Sequence, residues 1–153
     1  LLPYHQPPRL IIIHATRSGI ADHTLAQELQ STINWYASQS NAGNSHCIIG
    51  GDGTIYWTAE LDKQAWGATY LNPVAMHIEV CQPVTIVPYT EEQYLSAAFA
   101  TRLMCAMYNI PRLQAASEDY LGIIGHEQTQ QGKSWRKTDP GIMWDWEHFM
   151  GML

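Results

Sequence analysis

His14 closes the apolar run Ile11-Ile12-Ile13, His126 sits in Gly125-His126-Glu127, and Asp139 lies within Lys137-Thr138-Asp139-Pro140-Gly141. Two imidazoles and one carboxylate are enough to hold a zinc ion while leaving its fourth position to water. A structural zinc site would need four protein ligands, so this donor set points to zinc-assisted hydrolysis. Lys137, two positions before the carboxylate, would place a positive group beside any substrate bound there. Each residue also has an ordinary explanation. A histidine ending an apolar strand is often a hydrogen-bonded core residue, and the same holds for His126. Asp139 before Pro-Gly is a natural turn residue, and Arg136-Lys137 reads equally as a solvated basic pair.

Their context adds force. The chain carries Ile11-Ile12-Ile13-His14-Ala15-Thr16, then Ser45-His46-Cys47-Ile48-Ile49-Gly50-Gly51-Asp52-Gly53-Thr54-Ile55-Tyr56. Ala65-Trp66-Gly67-Ala68, His77-Ile78-Glu79-Val80, Gly125-His126-Glu127 and Arg136-Lys137-Thr138-Asp139-Pro140-Gly141 follow in order. In these segments it resembles the zinc-dependent N-acetylmuramoyl-L-alanine amidases. Their superfamily also contains phage lysozyme-like amidases and peptidoglycan-recognition proteins. The specific part is the His, His, Lys-x-Asp-Pro-Gly succession; Gly-Gly-Asp-Gly alone is a generic hairpin turn. The resemblance implies zinc ligands at His14, His126 and Asp139, a catalytic acid/base at Glu79 and a catalytic lysine at Lys137. Two positions depart from the pattern: Gly67 stands where such enzymes often have a pocket histidine, and His77 replaces the usual glycine two residues before the glutamate.

The residue types themselves support this chemistry. An amide resists water because resonance weakens its carbonyl and its nitrogen leaves poorly. Zinc lowers the pKa of a bound water to roughly 7 and polarises the carbonyl. Glu79 would accept the water proton and return it to the leaving nitrogen, and Lys137 would stabilise the oxyanion. Strand alternation in Met76-His77-Ile78-Glu79-Val80-Cys81 puts His77, Glu79 and Cys81 on one face and Met76, Ile78 and Val80 on the other. His77 therefore shares Glu79's face, and the alternative for Glu79 is a solvent-facing strand end. His46 reads as a core residue or a neighbour of the ligands, and His5, His23 and His148 as surface residues. Gln130 takes the place of the second histidine of a His-Glu-x-x-His helix, which excludes a thermolysin-like site.

Residues 10–14, 76–82 and 121–125 read as strands, and 46–50 with 54–58 as a hairpin. Residues 23–39 read as a helix entered after Asp22, with Leu25, Leu29, Ile33 and Tyr36 at helical spacing. Thr90-Glu91-Glu92-Gln93 is a capping box opening a helix to about Tyr108, stopped by Asn109-Ile110-Pro111. A short helix is expected over 144–152. The polar stretch from Gln128 to Arg136 reads as a loop forming part of a groove wall. The expected fold is α/β, a single domain over 1–153 with a central mixed sheet flanked by helices, residues 1–9 forming an N-terminal extension.

A chain of 153 residues is long enough for one substantial core. Its formal net charge of −6, without a basic run, argues against nucleic acid. Recognition should come from a shaped groove, and the 6 tryptophans and 8 tyrosines supply material for one. Trp135, Trp144 and Trp146 bracket Asp139 and are candidates for stacking on sugar or peptide, with core packing expected for at least one. Cys47, Cys81 and Cys105 form no recognisable pairing pattern and read as buried free thiols. No apolar run is long enough to cross a membrane, and no signal peptide is evident. The opening Leu1-Leu2-Pro3 is expected of a processed form or a domain cut from a longer protein. The resemblance implies peptidoglycan or a soluble muropeptide as substrate. The setting would be wall lysis by a phage endolysin, a secreted or periplasmic enzyme, or cytoplasmic wall-fragment recycling. A non-catalytic peptidoglycan-binding module and a zinc hydrolase of another amide are the competing readings.

Overall fold

Leu10–Ala15 (β1) is buried at every position, as a strand covered on both faces requires. It runs parallel to Ala75–Val80 (β4) on one side and to Gly122–Gly125 (β5) on the other. Beyond β4 lies Cys47–Ile49 (β2), also parallel, and then Ile55–Trp57 (β3), the antiparallel partner of β2. The five strands form one mixed sheet in the order β3-β2-β4-β1-β5, in accord with the expected architecture. This is a computed structural model, and it describes residues 1–38 and 45–153.

Alternation along the strands sorts the side chains. Ile11, Ile13, Ala15, Met76, Ile78 and Val80 point to one face and join Cys47, Ile49 and Ile123 in the larger core. Glu91–Tyr108 (α2) covers that face with Ala97, Ala98, Ala100 and Met104, and Trp146–Gly151 (α4) adds Phe149. Thr90 and Gln93 form the capping box read from the sequence. Leu10, Ile12, Ala75 and Ile124 point the other way and meet Ala68, Leu71 and Ala115 in a smaller core. His14, His77 and Glu79 share this second face by the same alternation.

Leu25–Ser38 (α1) starts later than expected. Thr24, not Asp22, opens it: its hydroxyl accepts from Gln27 N, while Gln27 Oε1 accepts from Thr24 N. The expected end of this helix at residue 39 lies outside the described residues. The stretch from Gln128 to Arg136 is not an open loop. A 3-10 turn over His126–Gln128 leads into Gln130–Ser134 (α3), capped by the Thr129 hydroxyl on Gly132 N. Thr129 and Gly132 carry the signal, a cap residue three positions before a backbone that can come close. Residues 2–4 lie along 62–64, with Tyr4 OH donating to the Ala75 carbonyl at 2.6 Å. All three cysteines are buried and free. No helix among the described residues is long and apolar enough to cross a membrane.

Candidate metal centre and active site

Three neighbouring strands bring the first groups together in register. On β1 and β4, His14 and Glu79 are direct partners. On the other side Ile13 pairs with Gly125, so His126, the next residue after β5, emerges beside His14. Gly132 lets α3 approach this point, because a Cβ there would overlap the His126 carbonyl. Asp139 arrives from the segment between α3 and α4. Its carbonyl accepts from Glu127 N at 2.9 Å, and the Arg17 guanidinium donates to the Thr138 and Pro140 carbonyls at 3.2 and 2.9 Å. Tyr89 OH donates to the same Pro140 carbonyl at 2.9 Å. Gly141 turns the chain away with φ +82°, where a Cβ would strike the Thr138 carbonyl.

Nδ1 of His14 lies 3.1 Å from Nδ1 of His126, which lies 3.1 Å from Oδ2 of Asp139. The third side of the triangle, His14 Nδ1 to Asp139 Oδ2, is 3.3 Å. All three residues are buried, and together they form a cluster able to hold a metal ion. Burial acts to raise the Asp139 pKa, but hydrogen bonds from His126 and His14 outweigh it and hold the carboxylate well below its usual range. Burial lowers the His14 pKa, only partly offset by Asp139, and so favours the neutral imidazole. A neutral ring and an ionised carboxylate are the states that ligate metal.

Glu79 borders the same cleft, of about 310 Å³, together with Thr16, Arg17, Gly67, Lys137 and Thr138. Its Oε2 is buried without a hydrogen-bond partner. Burial first, then the charge of Asp139, pushes its pKa up to about 8. Lys137 is exposed at the cleft, anchored through its backbone N–H to the Gly132 carbonyl at 2.8 Å. A second cleft of about 450 Å³ adjoins the first, sharing Thr16, Arg17 and Glu79 and continuing along Ile20, Trp35 and Tyr36 of the α1 side. All five residues proposed from the sequence thus lie around one cleft.

Two residues here, Glu28 and Arg17, had not been singled out. Glu28 is fully buried beneath the second cleft and accepts from Thr16 Oγ1, Ser18 N and Ser18 Oγ. Burial raises its pKa, but these hydrogen bonds prevail and keep it below the ordinary carboxylate value. A carboxylate between Leu25 and Leu29 on the inward arc of a helix was the available signal. Arg17 had none: its role depends on a chain segment more than a hundred residues away. His77 is fully buried and reaches His14, its Nδ1 lying 3.1 Å from His14 Nε2, rather than lining the cleft. Burial and the neighbouring His14 hold its pKa well below normal. His46 is likewise buried, its Nδ1 accepting from His77 N. His23, expected on the surface, is half-buried against Glu28 at 3.2 Å. Of the three tryptophans, Trp144 belongs to the core, Trp146 packs partly against it and Trp135 is exposed.

A family model described as N-acetylmuramoyl-L-alanine amidase matches residues 4–142. The 1,6-anhydro-N-acetylmuramyl-L-alanine amidase AmpD of Salmonella typhimurium strain LT2 is 30% identical over 118 residues, covering 72% of this chain and 57% of the relative. The chain thus spans a little over half the length of that relative. Among solved structures, the N-acetylmuramoyl-L-alanine amidase LysC from Clostridium intestinale URNW superposes with a TM-score of 0.68 at 22% identity, covering 99% of this chain and 88% of that one. AMPDH3 from Pseudomonas aeruginosa, in complex with an anhydromuramic pentapeptide, gives 0.71 at 18% identity, covering 99% and 62%. At these identities the two structures establish likeness of fold.

Proposed function

The chain belongs to the N-acetylmuramoyl-L-alanine amidase family, and we propose that it hydrolyses the amide between the lactyl group of N-acetylmuramic acid and the first L-alanine of the stem peptide, with zinc held by His14, His126 and Asp139. The observation that carries this reading is the convergence of those three donors beside an unpartnered carboxylate. Donors at tetrahedral positions around zinc, with bonds of about 2.0–2.1 Å, would stand roughly 3.3–3.4 Å apart. The observed separations of 3.1, 3.1 and 3.3 Å fit that ion closely.

When bound, zinc supplies Lewis acidity, activating water and polarising the scissile carbonyl. Glu79 accepts the proton of the attacking water through its unpartnered Oε2 and passes it to the departing nitrogen. A neighbouring cation favours the ionised form of Glu79, moving it from about 8 towards the range of a general base at neutral pH. Lys137, exposed at the cleft mouth, would bring its ammonium to the oxyanion of the tetrahedral intermediate. Arg17 holds the Thr138 and Pro140 carbonyls and so keeps Lys137 and Asp139 in place. The adjoining cleft continues from Glu79 towards Trp35 and offers room for the stem peptide.

The test is mass spectrometry of purified peptidoglycan and of soluble muropeptides after digestion. Free stem peptides beginning with L-alanine are expected from wild type, and none above background from Glu79→Ala or Asp139→Ala. Full turnover by both variants would contradict the mechanism, and binding to walls without cleavage would make the protein a recognition module.

A further inference from the structure

We propose that His77 is a positioning residue for the metal site: its Nδ1 accepts the outer ring proton of His14 and so selects the tautomer that turns His14 Nδ1 to the ion. This rests on the reading of His14, His126 and Asp139 as zinc ligands. A neutral imidazole has one N–H and one lone pair. For His14 Nδ1 to offer its lone pair, its proton must sit on Nε2. Only 2% of His14 is exposed, so that N–H is turned away from bulk water. The atom that does is His77 Nδ1, 3.1 Å away, with the two rings inclined at 51°. The competing tautomer puts the proton on His14 Nδ1, directed at Asp139 Oδ2 at 3.3 Å, and closes the ligand position.

The acceptor's backbone is fixed within the sheet, and its own Nε2 is buried without a hydrogen-bond partner among the described residues. His77 is fully buried in the middle of β4, paired with Ile12 of β1. Its backbone N–H donates to His46 Nδ1 at 3.0 Å, which leaves the His46 proton on Nε2 to be donated to the Lys63 carbonyl, also at 3.0 Å. The His46 ring lies nearly parallel to that of His77, 18° between planes. A ligand ring oriented from behind by a fixed partner binds metal more tightly, because neither ring position nor tautomer has to be selected on binding. The other histidine ligand differs: His126 Nε2 has no hydrogen-bond partner among the described residues. Orientation from behind is therefore concentrated on His14.

Two measurements test this. Long-range proton–nitrogen spectra of the imidazoles in the zinc-loaded wild type should show both His14 and His77 protonated at Nε2; a His77 protonated at Nδ1 overturns the proposal, whatever the variants do. Chelator competition then gives zinc affinities for wild type, His77→Leu and His77→Asn, the last placing Oδ1 where Nδ1 stood. His77→Leu should bind zinc about 10–100-fold more weakly, with His77→Asn recovering to within about three-fold of wild type. A folded His77→Leu that binds as tightly as wild type, or a His77→Asn as weak as His77→Leu, overturns the proposal while the metal site stands. A wild type that takes up no zinc overturns the metal reading and this inference together.

Discussion

Ile13 and His14 are adjacent in sequence, yet they belong to opposite faces of the sheet with opposite physical problems. The Ile13 face is sealed by α2 and α4 and holds apolar side chains whose only requirement is removal from water. The His14 face carries His14, His77 and Glu79 at positions where alternation would otherwise place apolar residues. Every polar group there must find a partner or a cation, and Glu79 Oε2 has no hydrogen-bond partner among the described residues. The site also lies at the carboxyl ends of the parallel strands β1, β4 and β5, where open α/β sheets receive ligands. The contrast teaches that one face supplies stability and the other spends some of it on groups held ready for chemistry.

Substitutions on the two faces should therefore fail in different ways. The largest effect is expected for Glu79→Gln, with turnover falling about 10²–10⁴-fold while zinc content is kept. A stopped assay beside metal analysis checks this, and a fall in zinc content would move Glu79 into the ligand set. Ile13→Ala should do the reverse, losing about 2–5 kcal/mol of stability to a core cavity. At about 2–4 °C per kcal/mol, thermal unfolding should drop by several degrees or more while turnover per folded molecule holds. Zinc at about one hundred times its dissociation constant should stabilise wild type by about 2.7 kcal/mol over chelator-treated protein. In Asp139→Ala that gain should vanish, and in Ile13→Ala it should persist.

A last expected effect is a pH dependence of metal-free protein. The folded pKa of Glu79 is raised to about 8 from the ordinary 4.5, so the native state keeps a proton that the unfolded chain has released. Its contribution must fall as pH rises from about 4.5 to 8. Glu79→Gln should abolish this decline, most clearly in the difference between wild-type and variant melting curves, because buried His46 and His77 push the opposite way as pH drops. A difference independent of pH would contradict the burial of that carboxylate.

Much of this contrast was legible in the sequence because alternation is a local property. The run Leu10 to Ile13, the period of Met76 to Val80 and the Thr90 capping box each declare themselves within a few residues, and they fix which face Glu79 shares. The donors were legible as types within motifs, while their meeting depends on the pairing of β1 with β4 and β5. What could not be read was contact between remote segments. Arg17 on the Pro140 carbonyl has no local pattern, and alternation placed His77 on the Glu79 face without revealing its contact with His14. The short α3 was missed because Gln130–Ser134 has no apolar stripe and depends on its cap and on close approach to the His126 turn.

The account is tested most directly by anomalous diffraction at the zinc edge from crystals of the zinc-loaded protein. It predicts a single strong peak about 2.0–2.2 Å from His14 Nδ1, His126 Nδ1 and an Asp139 carboxylate oxygen. A peak elsewhere on the molecule, or none in that triangle at full zinc occupancy in solution, would contradict it.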